Sequence, residues 1–195
     1  MWNQRYSQSE YVYGVEPNEY LVKASGNIRP GGKVLSLGEG EGRNAVYLAS
    51  QGFNVTAVDS SSVGLEKAQK LADSKRVKID TITADLADFE IKPGSWDAII
   101  SIYCHLPSAQ RVKLHQQVCA GLKPGGVFIL EAFTPRQLLF GTGGPSSPDM
   151  LMTLEGLRIE LDGLKLEHAV ELDRSVLEGT FHTGQAAVVQ ITGIK

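Results

Sequence analysis

The chain has 195 residues, of which 42% are hydrophobic, 21% charged and 7% aromatic; this is ordinary globular composition, enough for one well-buried core and short for two. Lys plus Arg is 19 and Asp plus Glu is 22, a formal charge of −3, which offers no electrostatic footprint for DNA or RNA, so no nucleic-acid partner is expected. Residues 1–14 lack a basic segment followed by an apolar stretch, and no apolar run approaches the roughly 18 residues of a membrane span, so a cytoplasmic protein without membrane association is expected.

In chain order, the short apolar run Lys33-Val34-Leu35-Ser36-Leu37 after Pro30-Gly31-Gly32 predicts a first strand, followed by the cluster Gly38, Gly40, Gly42. Apolar residues at helical spacing predict a helix over 43–51, stopped at Gly52. A second strand is expected at 54–59, ending in Asp59, and Ser60 to Ser62 offer caps for a helix through Asp73. Strands at 77–83 and 96–102 come next, then a helix from a Ser108 cap to Leu122, a turn over 123–126 and a strand at 127–133. Residues 137–149 are rich in Gly, Pro and Ser, residues 150–161 look helical, and extended runs at 165–177 and 183–194 are joined too briefly for a crossover helix, which means an antiparallel hairpin.

Repeated strand-then-helix order implies right-handed parallel crossovers, hence a Rossmann-like doubly wound α/β sheet with its ligand site at the carboxyl ends of the strands. We divide one 195-residue domain into an N-terminal lid segment (1–30), a cofactor-binding core (31–133) and a substrate-side flap with the C-terminal hairpin (134–195). Cys104 and Cys119 lack CxxC spacing and should be reduced, and the histidines His105, His115, His168 and His182 form no metal-ligand pattern, so no metal is expected. Cys104 itself is expected to be a packing residue.

The loop Leu37-Gly38-Glu39-Gly40-Glu41-Gly42-Arg43 has GxGxG spacing. A dinucleotide fingerprint needs glycine at the sixth position, where Arg43 stands, and a phosphate loop needs a lysine that is absent. Glu39 and Glu41 would repel a pyrophosphate and suit a cationic ligand. S-adenosylmethionine is one: its sulfonium and ammonium groups are positive and it carries no phosphate.

With Asp59 ending the second strand, Ala84-Asp85-Leu86 after the third, Asp97 to Ile102 as the fourth and Leu122-Lys123-Pro124-Gly125-Gly126 before the fifth, the chain resembles the class I S-adenosylmethionine-dependent methyltransferases. The resemblance implies seven strands, six parallel and an antiparallel C-terminal one, with S-adenosyl-L-methionine as cofactor. It implies cofactor contacts from Gly38, Glu39, Gly40, Asp59, Ser60, Asp85, Leu86 and Ile102, with Asp59 holding the ribose hydroxyls and Asp85 the adenine amino group. Many members carry an acid two residues before the first loop glycine; Ser36 stands there in this chain, and Glu39 is expected to meet the methionine amino group instead. Residues 42–49 and 13–18 further resemble the tellurite-resistance and thiopurine-type subgroup, which implies a small-molecule methyl acceptor, a thiol or chalcogenide.

His105, just after the fourth strand, has two readings: a catalytic group that contacts the acceptor or removes its proton, or a satisfied polar residue. Tyr13, Tyr103, Glu178 and His182 are expected on the substrate side, Glu178 and His182 alternatively being a polar turn. Arg43 is expected on a solvated helix face or paired with Glu16 or Glu41. The aromatics Trp2, Tyr6 and Tyr13 predict a lid, and residues 141–145 a second flap. Two rival readings are a nicotinamide-dependent oxidoreductase on a related fold and a non-catalytic S-adenosylmethionine sensor.

Overall fold

The computed structural model describes residues 2–179 and 182–195, the side chain of His182 excepted. Among these residues the elements are α1 (Trp2–Tyr6), α2 (Glu19–Ala24), β1 (Lys33–Leu37), α3 (Arg43–Ser50), β2 (Asn54–Asp59), α4 (Ser62–Ser74), β3 (Asp80–Thr83), β4 (Trp96–Ile102), α5 (Ser108–Gly121), β5 (Leu122–Phe133), α6 (Leu154–Glu160), β6 (Lys165–Glu178) and β7 (His182–Ile194). The strands form one sheet in the order β3-β2-β1-β4-β5-β7-β6. The first five strands pair in parallel, whereas β7 is antiparallel to both β5 and β6. This is the Rossmann-like methyltransferase sheet that the order of elements predicts.

Central strands of such a sheet are covered on both faces, so their side chains alternate between two apolar layers. Val34, Ile100 and Ile129 face Leu21 of α2, Leu48 of α3 and Leu65 and Leu71 of α4. Leu35, Ile99, Phe128 and Leu130 face Leu114 and Val118 of α5 and Leu157 of α6. Phe128 and Leu35 are fully buried, and truncating either to Ala should cost about 3–5 kcal/mol. The order of connections reverses between β1 and β4, and there the crevice at the strand ends opens.

Four local expectations are corrected. The strand expected at 77–83 is confined to Asp80–Thr83, because Arg76 turns the chain with φ +59° and the Val77 amide closes the end of α4 on the Ala72 carbonyl, leaving 77–79 as a connector. The helix expected at 150–161 begins only at Leu154, after a Thr153 cap; before it the Met152 amide bonds the Phe133 carbonyl and ties the segment to β5. Ser108 does not cap α5 but begins it, its amide and hydroxyl both bonded to the Asp149 carboxylate at 3.0 and 2.5 Å. The turn at 123–126 lies within β5 as a register shift rather than before it, with Gly125 and Gly126 bonded to Lys195.

Candidate active site

The loop between β1 and α3 requires glycine where it passes close to its neighbours. A Cβ at Gly42, where φ is +95°, would come within 2.6 Å of the Ala68 backbone in α4, so any side chain would push the two helices apart. Gly42 therefore sits at the start of α3 without a side chain to cap it, and Glu39 supplies the cap. Its Oε1 accepts from the Asn44 and Ala45 amides at 3.1 and 2.9 Å, and its Oε2 from the Ser36 hydroxyl. A carboxylate is well placed at a helix N-terminus; burial nevertheless pushes the Glu39 pKa up, opposed by the Ala45 amide and Ser36. Ser36 thus works as Glu39's partner, and one lone pair of Oε2 is left for a ligand.

Asp59 ends β2 with Oδ2 accepting from the Gly40 amide at 2.8 Å and Oδ1 from the Ser61 amide at 2.7 Å. Burial raises its pKa against these amides. Each oxygen keeps a lone pair, so the carboxylate is aimed by the backbone and still able to accept two hydroxyls. Asp85 follows β3, exposed, with Oδ1 accepting from the Ala87 amide at 2.9 Å, while Leu86 and Ile102 are buried walls and Ser60 lies at the rim.

At the end of β4 the character changes. Tyr103 has φ +51°, a strained conformation for a bulky residue; its amide donates to the Glu131 carbonyl at 2.8 Å and its hydroxyl to Glu131 Oε1 at 2.8 Å. Burial, then the Glu131 carboxylate, holds the phenol well above its usual pKa. Burial also pushes the Cys104 thiol up to about 12, so it packs as a neutral group, as expected. His105 lies parallel to the Phe133 ring at 5.6 Å. Its Nδ1 is 2.9 Å from the Met150 carbonyl and its Nε2 is 3.3 Å from the Phe133 amide. Since a carbonyl only accepts and an amide only donates, the proton is on Nδ1 and the Nε2 lone pair is occupied. Burial lowers the pKa to about 4. Of the two readings of His105, the geometry matches the satisfied polar residue.

Arg43, at the start of α3, pairs with neither Glu16 nor Glu41. Its Nη2 donates to Glu178 Oε2 at 2.8 Å, across to the end of β6. Behind this pair lies a buried polar network: Asn18 Nδ2 bonds Glu131 Oε1 at 2.7 Å and Glu178 Oε1 at 2.9 Å, Arg174 reaches the same two oxygens at 3.2 and 3.3 Å, and Gln190 bonds Glu131 Oε2. Glu178, expected on the substrate side, is thus a buried partner of Arg43 and not one of the residues lining the cavity. The side chain of His182 lies outside the described residues. An acid at position 131 inside the apolar run Val127 to Phe133 is a signal from which this network was legible.

The cavity above the strand ends has a volume of about 860 Å³, within the range of ligand sites, and Tyr13, Tyr103 and Arg43 line it with the residues named at the ends of β1, β2 and β4. Residues 141–147 line one side, and Trp2, Arg5 and Tyr6 another. Tyr6 lies so close over Gly40 that a Cβ there would meet its hydroxyl at 2.7 Å. The segment after α1 is held by Lys67, whose ammonium bonds the Gln8 and Glu10 carbonyls at 3.0 and 2.6 Å and pairs with Glu41, while Glu41 Oε2 accepts from the Val12 amide at 2.7 Å. Glu41 therefore anchors the N-terminal segment. Carboxylates beside a glycine loop, an acid with two free lone pairs and no phosphate-binding pattern fit S-adenosylmethionine.

Comparison with known proteins agrees with this geometry. Residues 34–126 match the methyltransferase domain family. The chain is 28% identical over 124 residues to phosphoethanolamine N-methyltransferase 2 of Caenorhabditis elegans, covering 62% of this chain and 28% of that protein. It is 31% identical over 113 residues to a ubiquinone biosynthesis O-methyltransferase of Rickettsia typhi, covering 56% and 45%. The chain thus spans less than half the length of these curated relatives. TehB of Haemophilus influenzae superposes with a TM-score of 0.75 at 18% identity, over all of this chain and 65% of TehB. A structure from work on the conversion of a disulfide bond into a thioacetal group in echinomycin biosynthesis superposes at 0.78 and 19% identity, over all of this chain and 90% of that one. The sheet, the glycine loop and the matched segment together identify residues 34–126 as a class I S-adenosylmethionine-dependent methyltransferase domain.

Proposed function

We propose that the protein transfers a methyl group from S-adenosylmethionine to a small soft nucleophile, a thiol or a chalcogenide. Bound, the cofactor supplies an electrophilic methyl group on a sulfonium. On this reading Asp59 holds the ribose hydroxyls, Asp85 and Leu86 the adenine, and Glu39 the methionine amino group, with Gly38, Gly40, Ser60 and Ile102 completing the contacts. Residues 1–30 act as the lid and residues 134–195 supply the acceptor side, where Tyr13 and Tyr103 stand. Excluding water and aligning the acceptor can supply most of the rate of an in-line displacement.

The observation that carries the reading is the state of His105. With Nδ1 donating, Nε2 accepting and the pKa lowered to about 4, it has no lone pair for the acceptor's proton. A nucleophile that is ionised or unprotonated at neutral pH needs no such help. A cavity of about 860 Å³ leaves room for a small acceptor beside the cofactor, and a formal charge of −3 disfavours nucleic acid. The sulfur chemistry named for the thioacetal-forming neighbour and the TehB likeness favour the same acceptor class.

Calorimetry and turnover test this together. S-adenosylhomocysteine should bind and NAD should not, and S-adenosylmethionine should be consumed in the presence of thiols or selenols. NAD binding without S-adenosylhomocysteine binding would establish the oxidoreductase reading. Binding of S-adenosylhomocysteine without turnover on any acceptor would establish the sensor, and methylation of oxygen acceptors alone would remove the soft-acceptor assignment.

A further inference from the structure

Arg43 is 7% exposed and lines the cavity, yet its Nη1 is buried with no hydrogen-bond partner among the described residues. A buried guanidinium arm without an acceptor is costly, and such arms are normally satisfied. The carboxylates nearby do not need it. Glu131 takes donors from Asn18, Tyr103, Arg174 and Gln190, and Glu178 from Asn18, Arg174 and the other arm of Arg43. Because the guanidinium is planar and Nη2 is fixed on Glu178, the Nη1 arm is fixed too.

The side of the cavity on which this arm stands follows from the sheet. Arg43 begins beside the β1 loop, but Glu178 ends β6, beyond β4 and β5 and on the far side of the sheet from β2 and Asp59. The carboxylates lining the cavity, Glu39, Glu41, Asp59 and Asp85, all follow β1, β2 or β3. Among the described residues that line it beyond β4 there is no carboxylate; Tyr103, Cys104, His105, Phe133, Thr142 and Met150 are neutral.

We infer that Arg43 is the specificity-determining residue for the acceptor, its Nη1 donating to an anionic group at or beside the reacting atom, so that the acceptor binds as a small anion such as a thiolate or a selenolate. Glu178, Asn18 and Arg174 are positioning residues that hold the guanidinium. This inference rests on the methyltransferase reading and narrows its acceptor. In the transfer, a lone pair of the anion forms the bond to the methyl carbon as the carbon–sulfur bond breaks and its pair stays on sulfur. The anion becomes neutral and no proton moves, in keeping with the engaged His105. A charge-assisted bond to a desolvated anion also discriminates against protonated amines, which Arg43 repels.

The test is a titration of the protein loaded with S-adenosylhomocysteine by 4-nitrothiophenolate, a thiolate at neutral pH, followed by its visible absorbance, with 4-nitrothioanisole as the neutral counterpart. It is run on wild type, Arg43→Met and Arg43→Met/Glu178→Gln; the double variant removes the carboxylate charge that the single one strands. The wild type should bind the thiolate saturably, and both variants should bind it at least about tenfold more weakly. Binding of the thioanisole and of S-adenosylhomocysteine should change less than about twofold, which also reports that the variants fold. Should the single variant fail to hold S-adenosylhomocysteine, the double variant decides. Equal thiolate affinity in wild type and variants, or no thiolate binding by a wild type that binds S-adenosylhomocysteine, overturns the inference while the methyltransferase reading stands. Loss of S-adenosylhomocysteine binding in both variants with 5′-methylthioadenosine binding kept would assign Arg43 to the cofactor's carboxylate and likewise overturn it. A wild type that does not bind S-adenosylhomocysteine refutes the methyltransferase reading instead.

Discussion

The two halves of the cavity are built on different principles. At the ends of β1 and β2, carboxylates are aimed by backbone amides: Asp59 by Gly40 and Ser61, Glu39 by Asn44 and Ala45. At the ends of β4, β5 and β6, polar side chains are aimed by one another, through contacts that join residues 18, 43, 103, 131, 174 and 178. Backbone-aimed groups depend on short local segments. Groups aimed by other side chains depend on the closure of the whole sheet. The first half therefore suits a cofactor of fixed shape, and the second an acceptor selected by charge and size.

The sharpest way to break this contrast is Asp59→Ala. If two charge-assisted ribose bonds worth about 1.5–3 kcal/mol each are lost, S-adenosylhomocysteine affinity should fall on the order of 100-fold or more, whereas Asp88→Ala, at an exposed position, should leave it unchanged. Calorimetry on the three proteins checks this, and equal affinity in wild type and Asp59→Ala would remove the ribose assignment. Next comes the lid. Lys67→Met strands the buried Glu41 carboxylate and should cost about 3–5 kcal/mol of stability, with early proteolytic cleavage within residues 2–12; a variant as stable and as resistant as wild type would show that Lys67 does not secure the segment.

The fold and the first half were legible because they are written in consecutive residues. Gly38 to Gly42, the acid ending β2 and the serines that follow are one short stretch each, and apolar runs alternating with helical spacing give the sheet order. The second half joins positions up to 160 residues apart, as in the Asn18 to Glu178 bond, so no window of sequence holds it. Arg43 illustrates the limit: its place in the loop was visible, but its partner lay on β6 rather than at Glu16 or Glu41. Likewise Glu39 looked like a free ligand group because its cap on α3 and its bond to Ser36 need the folded turn.

A smaller effect should follow from His105→Gln. A general base would cost about 10²–10⁴-fold in turnover, whereas a residue tying Met150 to Phe133 should cost less than about tenfold on an ionised thiol. Its titration gives a second readout. Burial lowers the folded pKa to about 4 from an ordinary 6.5, so below pH 6.5 the unfolded chain binds the proton more readily. The stability that neutral His105 contributes is present above pH 6.5 and is lost as pH falls from 6.5 to about 4. Unfolding midpoints in denaturant should therefore decline less over that window in His105→Gln than in wild type; identical slopes would contradict the buried neutral imidazole. The smallest change is expected at the surface, where Lys165→Ala breaks only an exposed pair with Glu167 and should shift stability by less than about 0.5 kcal/mol.

The most direct test of the division into two halves is a crystal structure with S-adenosylhomocysteine and the thiolate probe bound together. The account predicts the ribose hydroxyls on Asp59, the sulfur turned toward Tyr103, and the thiolate sulfur beyond it on Arg43 Nη1. A ribose placed away from Asp59, or a thiolate bound on the β1 and β2 side, would contradict it.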